Sequence, residues 1–97
     1  MTNKLRNENM DKLIQGILSL KNPDDCYAFL EDLCTVSELK SMEQRFTVAT
    51  MLTEGMQYSE IVCKTGASTA TISRVNRALM YGADGYQKVI QSLKDNK

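Results

Sequence analysis

The sequence predicts an all-α fold of about six helices, on three observations. Apolar residues recur at i, i+3, i+4 and i+7 in the long segments, the spacing of a helix face. No stretch of any length alternates apolar and polar residues as a half-buried strand does. Helix starters and stoppers (Asn22-Pro23, Thr35, Gly55, Gly66, Ser68, Gly82) fall between the periodic segments.

The first helix is expected from about residue 7 to residue 20, with Met10, Leu13, Ile14, Ile17 and Leu18 on one stripe. The polar residues 1–8 before it, with Lys4 and Arg6, read as a loose, solvated arm. Asn22 is a good N-cap and Pro23 suits the first helical position. Asp24 and Asp25 favour the positive end of that second helix, expected over 23–33 with Cys26, Phe29, Leu30 and Leu33 buried. Thr35 and Glu38 have the spacing of a capping box. It opens a third helix running to about residue 53, with Leu39, Met42, Phe46, Ala49 and Leu52 inward, and Gly55 follows its end. A short helix over 58–64, broken by Gly66, precedes a longer one over 69–80, capped by Ser68 and stopped by Gly82. Asp84 is placed to cap a last helix to about residue 94, with Tyr86, Val89, Ile90 and Leu93 on one face. Tyr58 and Tyr81 are expected half-buried at helix ends.

Composition narrows the function. The 97 residues argue for a single domain over 1–97. A globule this small hides only about 60–70% of its unfolded surface, so a dimer with a shared core would help. No apolar run approaches the roughly 18 residues of a membrane span, and the polar N-terminus is not a secretory signal. Histidine is absent, which removes the commonest general base and metal ligand. No two of the three cysteines have CxxC spacing. They read as reduced, mostly buried thiols of a cytoplasmic protein, with Cys34 the most exposed. With no convergent acids and no Gly-rich phosphate loop, nothing suggests an enzyme, a metal or a catalytic cofactor.

The net charge is zero, but the charges are sorted along the chain. Six acids (Asp24, Asp25, Glu31, Asp32, Glu38, Glu43) stand against Lys40 alone between residues 24 and 43. From Ile61 to Ala83 there are three bases, Lys64, Arg74 and Arg77, and no acid. This acid-free stretch takes in most of 58–81, which reads as a helix-turn-helix. Gly66 supplies the left-handed turn residue. Ile61 and Val62 are expected to face Ile72 and Val75, with small Ala67 and Ala70 at the elbow. Ser68, Thr69, Ala70 and Ser73, then Arg74 and Arg77, remain outward. Hydroxyls and methyls of that size can touch base edges, while Lys64, Arg74 and Arg77 can hold phosphates. Many helical proteins have such a corner without binding DNA. The competing reading is a protein-interaction module that docks through the same surface.

On the strings LCTVSELKSMEQR and GASTATISRVNRAL, with Gly55 between them, the chain resembles the Trp repressor superfamily, specifically its YerC/YecD-type branch. The match covers roughly residues 23–94. The resemblance implies an intertwined homodimer that reads double-stranded DNA at a near-palindromic operator, and a repressor of amino-acid metabolism genes. It also implies an amino-acid corepressor pocket, whose two arginines and threonine match Arg45, Arg74 and Thr35. Two positions depart from that pattern. Val75 stands where the Trp repressor has a Gly beside the indole, and Ala78 replaces a Ser that helps bind the amino group. Tryptophan is therefore not the expected ligand, and a smaller amino acid, or none, is. Each matched residue also has a plainer role: Thr35 as an N-cap, Arg45 as a partner of Glu38 or Glu43, Arg74 as a phosphate contact.

Overall fold

The computed structural model describes residues 4–96, which form six helices. In order they are α1 (Glu8–Leu18), α2 (Pro23–Leu33), α3 (Val36–Thr53), α4 (Tyr58–Thr65), α5 (Thr69–Tyr81) and α6 (Gly85–Asp95). Among the described residues there is no strand, and no helix is long and apolar enough to cross a membrane. The chain divides after Leu39 into two compact units.

In the first unit the caps set the helix starts. The Asn7 side chain accepts the Met10 amide at 2.8 Å, and the Asn22 side chain accepts the Asp25 amide at 2.9 Å, with Pro23 opening α2. Thr35 and Glu38 form the reciprocal box: the Glu38 amide donates to the Thr35 hydroxyl at 3.0 Å and the Thr35 amide to the Glu38 carboxylate at 2.8 Å. The Asn7 cap puts Glu8 inside α1, so the non-helical arm is shorter than the expected 1–8, and residues 1–3 of it lie outside the described residues. At the other end α1 stops at Leu18, short of residue 20, where the Ser19 amide turns back onto Gln15 and Gly16 carbonyls.

The expected burial of α2 does not occur within the chain. Cys26, Phe29 and Leu30 are half-buried and Leu33 is half-exposed. No residue of α1 or α2 is buried. Phe29 does lean on α1 where Gly16 leaves room, since a Cβ there would lie 4.0 Å from the ring. Two helices of 11 residues meet along one line and cannot cover the rest of their apolar stripes.

The second unit has the core. Val48 and Ala49 of α3, Ile61 of α4, Ala67 of the turn, Ile72, Val75 and Leu79 of α5 and Ile90 of α6 are buried together. The inward face of α3 has Ala49, Phe46 and Leu52 as expected, with Val48 added and Met42 left out. Val48 is fully buried, Phe46 and Leu52 are half-buried, and Met42 is exposed. The polar residues between them are satisfied locally. The Thr47, Thr50 and Thr53 hydroxyls donate to the carbonyls of Glu43, Phe46 and Ala49 at 2.9, 3.0 and 2.8 Å. A threonine bonded in this way can sit against packed surface without leaving an unpaired group, so the inward face of α3 is wider than hydropathy spacing marks. In α6 Ile90 is buried in the core and Tyr86 packs against it, while Val89 and Leu93 are half-exposed.

Left-handed turns join these helices. After α3 the Met56 amide reaches the Met51 carbonyl at 3.1 Å and the Gly55 amide the Leu52 carbonyl at 3.0 Å, with Gly55 at φ 85°. This is a Schellman ending. Gly66, at φ 74°, ends α4 by donating to the Val62 carbonyl at 2.9 Å. A Cβ on Gly66 would meet nothing within 4 Å, so its role is conformational. Gly66→Ala is therefore expected to lower stability by about 1 kcal/mol through backbone strain alone. Urea denaturation measures this, and a variant as stable as the parent would show that the turn tolerates a Cβ. Gly82 has the opposite reason: a Cβ there would strike the Ala78 carbonyl. Asp84 precedes α6 as expected but does not cap it. It sits in the left-handed region at φ 66°, and its side chain makes no cap bond. Capping side chains act from the extended region, where they reach back to the helix amides.

Candidate nucleic-acid interface

α4, Gly66, Ala67, Ser68 and α5 form the helix-turn-helix expected from the sequence. In α4, Tyr58, Ile61, Val62 and Thr65 lie at i, i+3, i+4 and i+7, and that stripe faces inward. Ile61 and Ile72 are both fully buried in one core, so the two helices are pinned by branched side chains with little room to shift. Cys63 falls off the stripe and is exposed, whereas Cys26 and Cys34 are half-buried. The most exposed thiol is thus Cys63, not Cys34, because helix phase places it.

Two residues that the sequence reading passed over set the turn. The Thr65 hydroxyl donates to the Ile61 carbonyl at 2.8 Å and accepts the Ala67 amide at 3.0 Å. The Gln44 side-chain amide, on α3, donates to the Thr65 carbonyl at 3.4 Å. A Thr just before a helix-ending Gly is a legible signal for such a back-bond; the distant Gln44 gives none. Farther on, the Gln87 amide donates to the Leu79 carbonyl at 2.6 Å and answers one of the open carbonyls at the end of α5.

The outward face matches the expected residue set. Lys64, Ser68, Thr69, Ala70, Ser73, Arg74 and Arg77 are all exposed. Ser68 is also the cap of α5. Its oxygen accepts the Thr71 amide at 3.1 Å, and its hydroxyl donates to the Thr71 hydroxyl at 3.1 Å. α5 has no acid in its first turn, unlike α1, α2, α3 and α4. The positive end of its dipole is left for an outside anion. Among the described residues Arg45, Arg74 and Arg77 enter no ion pair. Lys40 pairs instead with Glu43 at 3.4 Å, and Glu38 is held in the capping box. Arg45 is thus not tied to either acid considered for it.

The residues matched to a corepressor pocket have separate settings within their own units. Arg74 lines a shallow concavity of about 340 Å³ with Arg77, Ala78, Tyr81 and Gly82, and Arg45 is not among its walls. Val75 is 2% exposed and belongs to the core with Ile61 and Ile72. Tyr81 is 82% exposed, not half-buried, because α5 runs two residues past Leu79, its last buried residue. Thr35 serves as the cap of α3 in the first unit.

Comparison with known proteins fits this geometry. The family model described as Trp repressor protein matches residues 8–94. The protein YerC of Bacillus subtilis is 50% identical over 94 residues, covering 97% of this chain and 90% of the relative. A TrpR-like protein from Eubacterium eligens superposes with a TM-score of 0.92 at 55% identity, over 96% of both chains. A candidate Trp repressor from Staphylococcus aureus gives 0.92 at 45% identity, over 97% of this chain and 95% of that one. That family is one of DNA-binding regulators and not of enzymes. The chain belongs to the Trp repressor family, within its TrpR-like, YerC-type branch.

Proposed function

We propose that the protein acts in the cytoplasm as a homodimer that binds a near-palindromic operator and represses genes of amino-acid metabolism. The observation that carries the DNA reading is the exposed, acid-free face of α5, with Thr69, Ala70 and Ser73 at its start and Arg74 and Arg77 farther on. A surface of small groups backed by unpaired guanidiniums suits a major groove flanked by phosphates. Dimerisation is favoured by the first unit. Ile14, Ile17, Leu18, Tyr27 and Leu33 are all at least two-fifths exposed, and α1 and α2 bury nothing. With two-fold symmetry the reading helices would address half-sites about 34–36 Å apart.

The same reading gives no role to tryptophan. A small amino acid is the only corepressor that fits it, because Val75 already fills its place in the core with a branched side chain. Arg74 then serves the DNA backbone.

Operator duplexes recovered by in vitro selection, titrated by fluorescence anisotropy across a salt series, test the proposal. A linear fall of log affinity with log salt is expected. Arg77→Ala should weaken binding about equally on all sequences and reduce that slope by about 1. Thr69→Ala should instead change which bases are preferred. Both variants binding the parent operator like the unaltered protein would remove α5 as the reader. No selected sequence at any salt, with or without each amino acid, would favour the interaction module.

A further inference from the structure

We propose that the reading head selects thymine by its C5-methyl group, through the methyls of Thr69 and Ala70 in the first turn of α5. This rests on the DNA-binding reading above and adds what is read. Two of the polar groups at this end, the Ser68 and Thr71 hydroxyls, are already committed. Ser68 accepts from the Thr71 amide and donates to the Thr71 hydroxyl, both at 3.1 Å. Moving the Ser68 oxygen toward a base would undo the cap of α5, which is worth about 1 kcal/mol. No Asn, Gln, Arg, Lys, Asp or Glu stands between Ser68 and Ser73. Those are the side chains that bond base edges in two-point fashion. Arg74 lies five residues beyond Thr69, a rise of roughly 7.5 Å along the helix, and Arg77 lies farther still. Their place is the phosphate backbone.

What the first turn offers is the Thr69 methyl and hydroxyl, the Ala70 methyl and, one turn on, the Ser73 hydroxyl, all on exposed residues. Ser and Thr hydroxyls bond either kind of base edge and so add little choice. Methyls do choose, because thymine alone of the four bases carries an apolar group into the major groove. With no long side chain in between, the helix can come close enough for methyl to meet methyl.

Deoxyuridine, which is thymidine without that methyl, gives the test. An operator is first selected on ordinary DNA. Each half-site thymine is then replaced singly by deoxyuridine, and the dissociation constant is read by anisotropy. A loss of about tenfold is expected at one or two thymines per half-site. The variant Thr69→Ser with Ala70→Gly, checked for parental melting behaviour, should bind the two kinds of duplex almost alike. Thr69→Ser alone keeps the hydroxyl and the helix start, and should narrow the difference on its own if its methyl is one of the pair. Tight binding of the selected operator with no loss at any deoxyuridine would overturn the proposal and leave the DNA reading standing. Discrimination that persists unchanged in both variants would overturn the assignment to Thr69 and Ala70. Recovery of no operator would remove the DNA reading, and the thymine proposal with it.

Discussion

Replacing Ile17 and Leu18 together by Asp is expected to convert the protein to a monomer and to lower operator affinity at least a hundredfold. Leu18 is 72% exposed and Ile17 42% exposed, so neither holds the isolated chain together. Their effect in the chain alone should be small. In a two-fold dimer each substitution acts twice. Full burial of such a side chain is worth about 1.5–3 kcal/mol, so four lost contacts remove on the order of 10 kcal/mol from the interface. That is enough to move a nanomolar dimer beyond millimolar association. DNA binding should then lose its second head, and linked heads gain roughly 10²–10⁴ in avidity. Light scattering after size exclusion reads the mass and anisotropy the affinity. A variant that stays dimeric and binds operator normally would show that the α1 stripe is not the interface.

Ile72→Ala should have the other large effect, by a different route. Ile72 is fully buried between the α4 and α5 partners of the core, in contact range of the cluster that includes Ile61 and Val48. Truncating a buried isoleucine to alanine costs about 2–5 kcal/mol, against a total of roughly 5–15 kcal/mol for a domain. The melting temperature should fall by about 10–30 °C. Ile72→Val removes one methylene and should cost only about 0.5–1.5 kcal/mol. Well below the transition, the folded fraction of Ile72→Val should bind DNA like the parent, since the side chain faces away from the groove. A loss under 1 kcal/mol in Ile72→Ala would mean that the reading head is not built on this core.

The two effects separate along the line between local and tertiary information. Helix starts and stops were legible because caps are short-range chemistry. Asn22-Pro23, the Thr35–Glu38 box, Ser68 and the left-handed Gly66 all act within a few residues of where they stand. The exposed set on α5 was legible for the same reason. A short helix with a clear apolar stripe leaves its other face defined, and the absence of acids there is written in the chain.

Wherever the outcome depended on a second element, the sequence by itself did not determine it. Asp84 has a cap residue's chemistry, but the turn after Gly82 forces it to φ 66°. Val48 joined Ala49 in the core while Met42, on the expected stripe of α3, stayed exposed. Gln44 reached the turn at Thr65 from 21 residues away. Cys26, Phe29 and Leu30 form an apolar stripe that the chain alone leaves half-covered. Spacing tells which residues share a face. Only packing decides what that face meets, because burial belongs to pairs of surfaces and a sequence pattern describes one surface at a time.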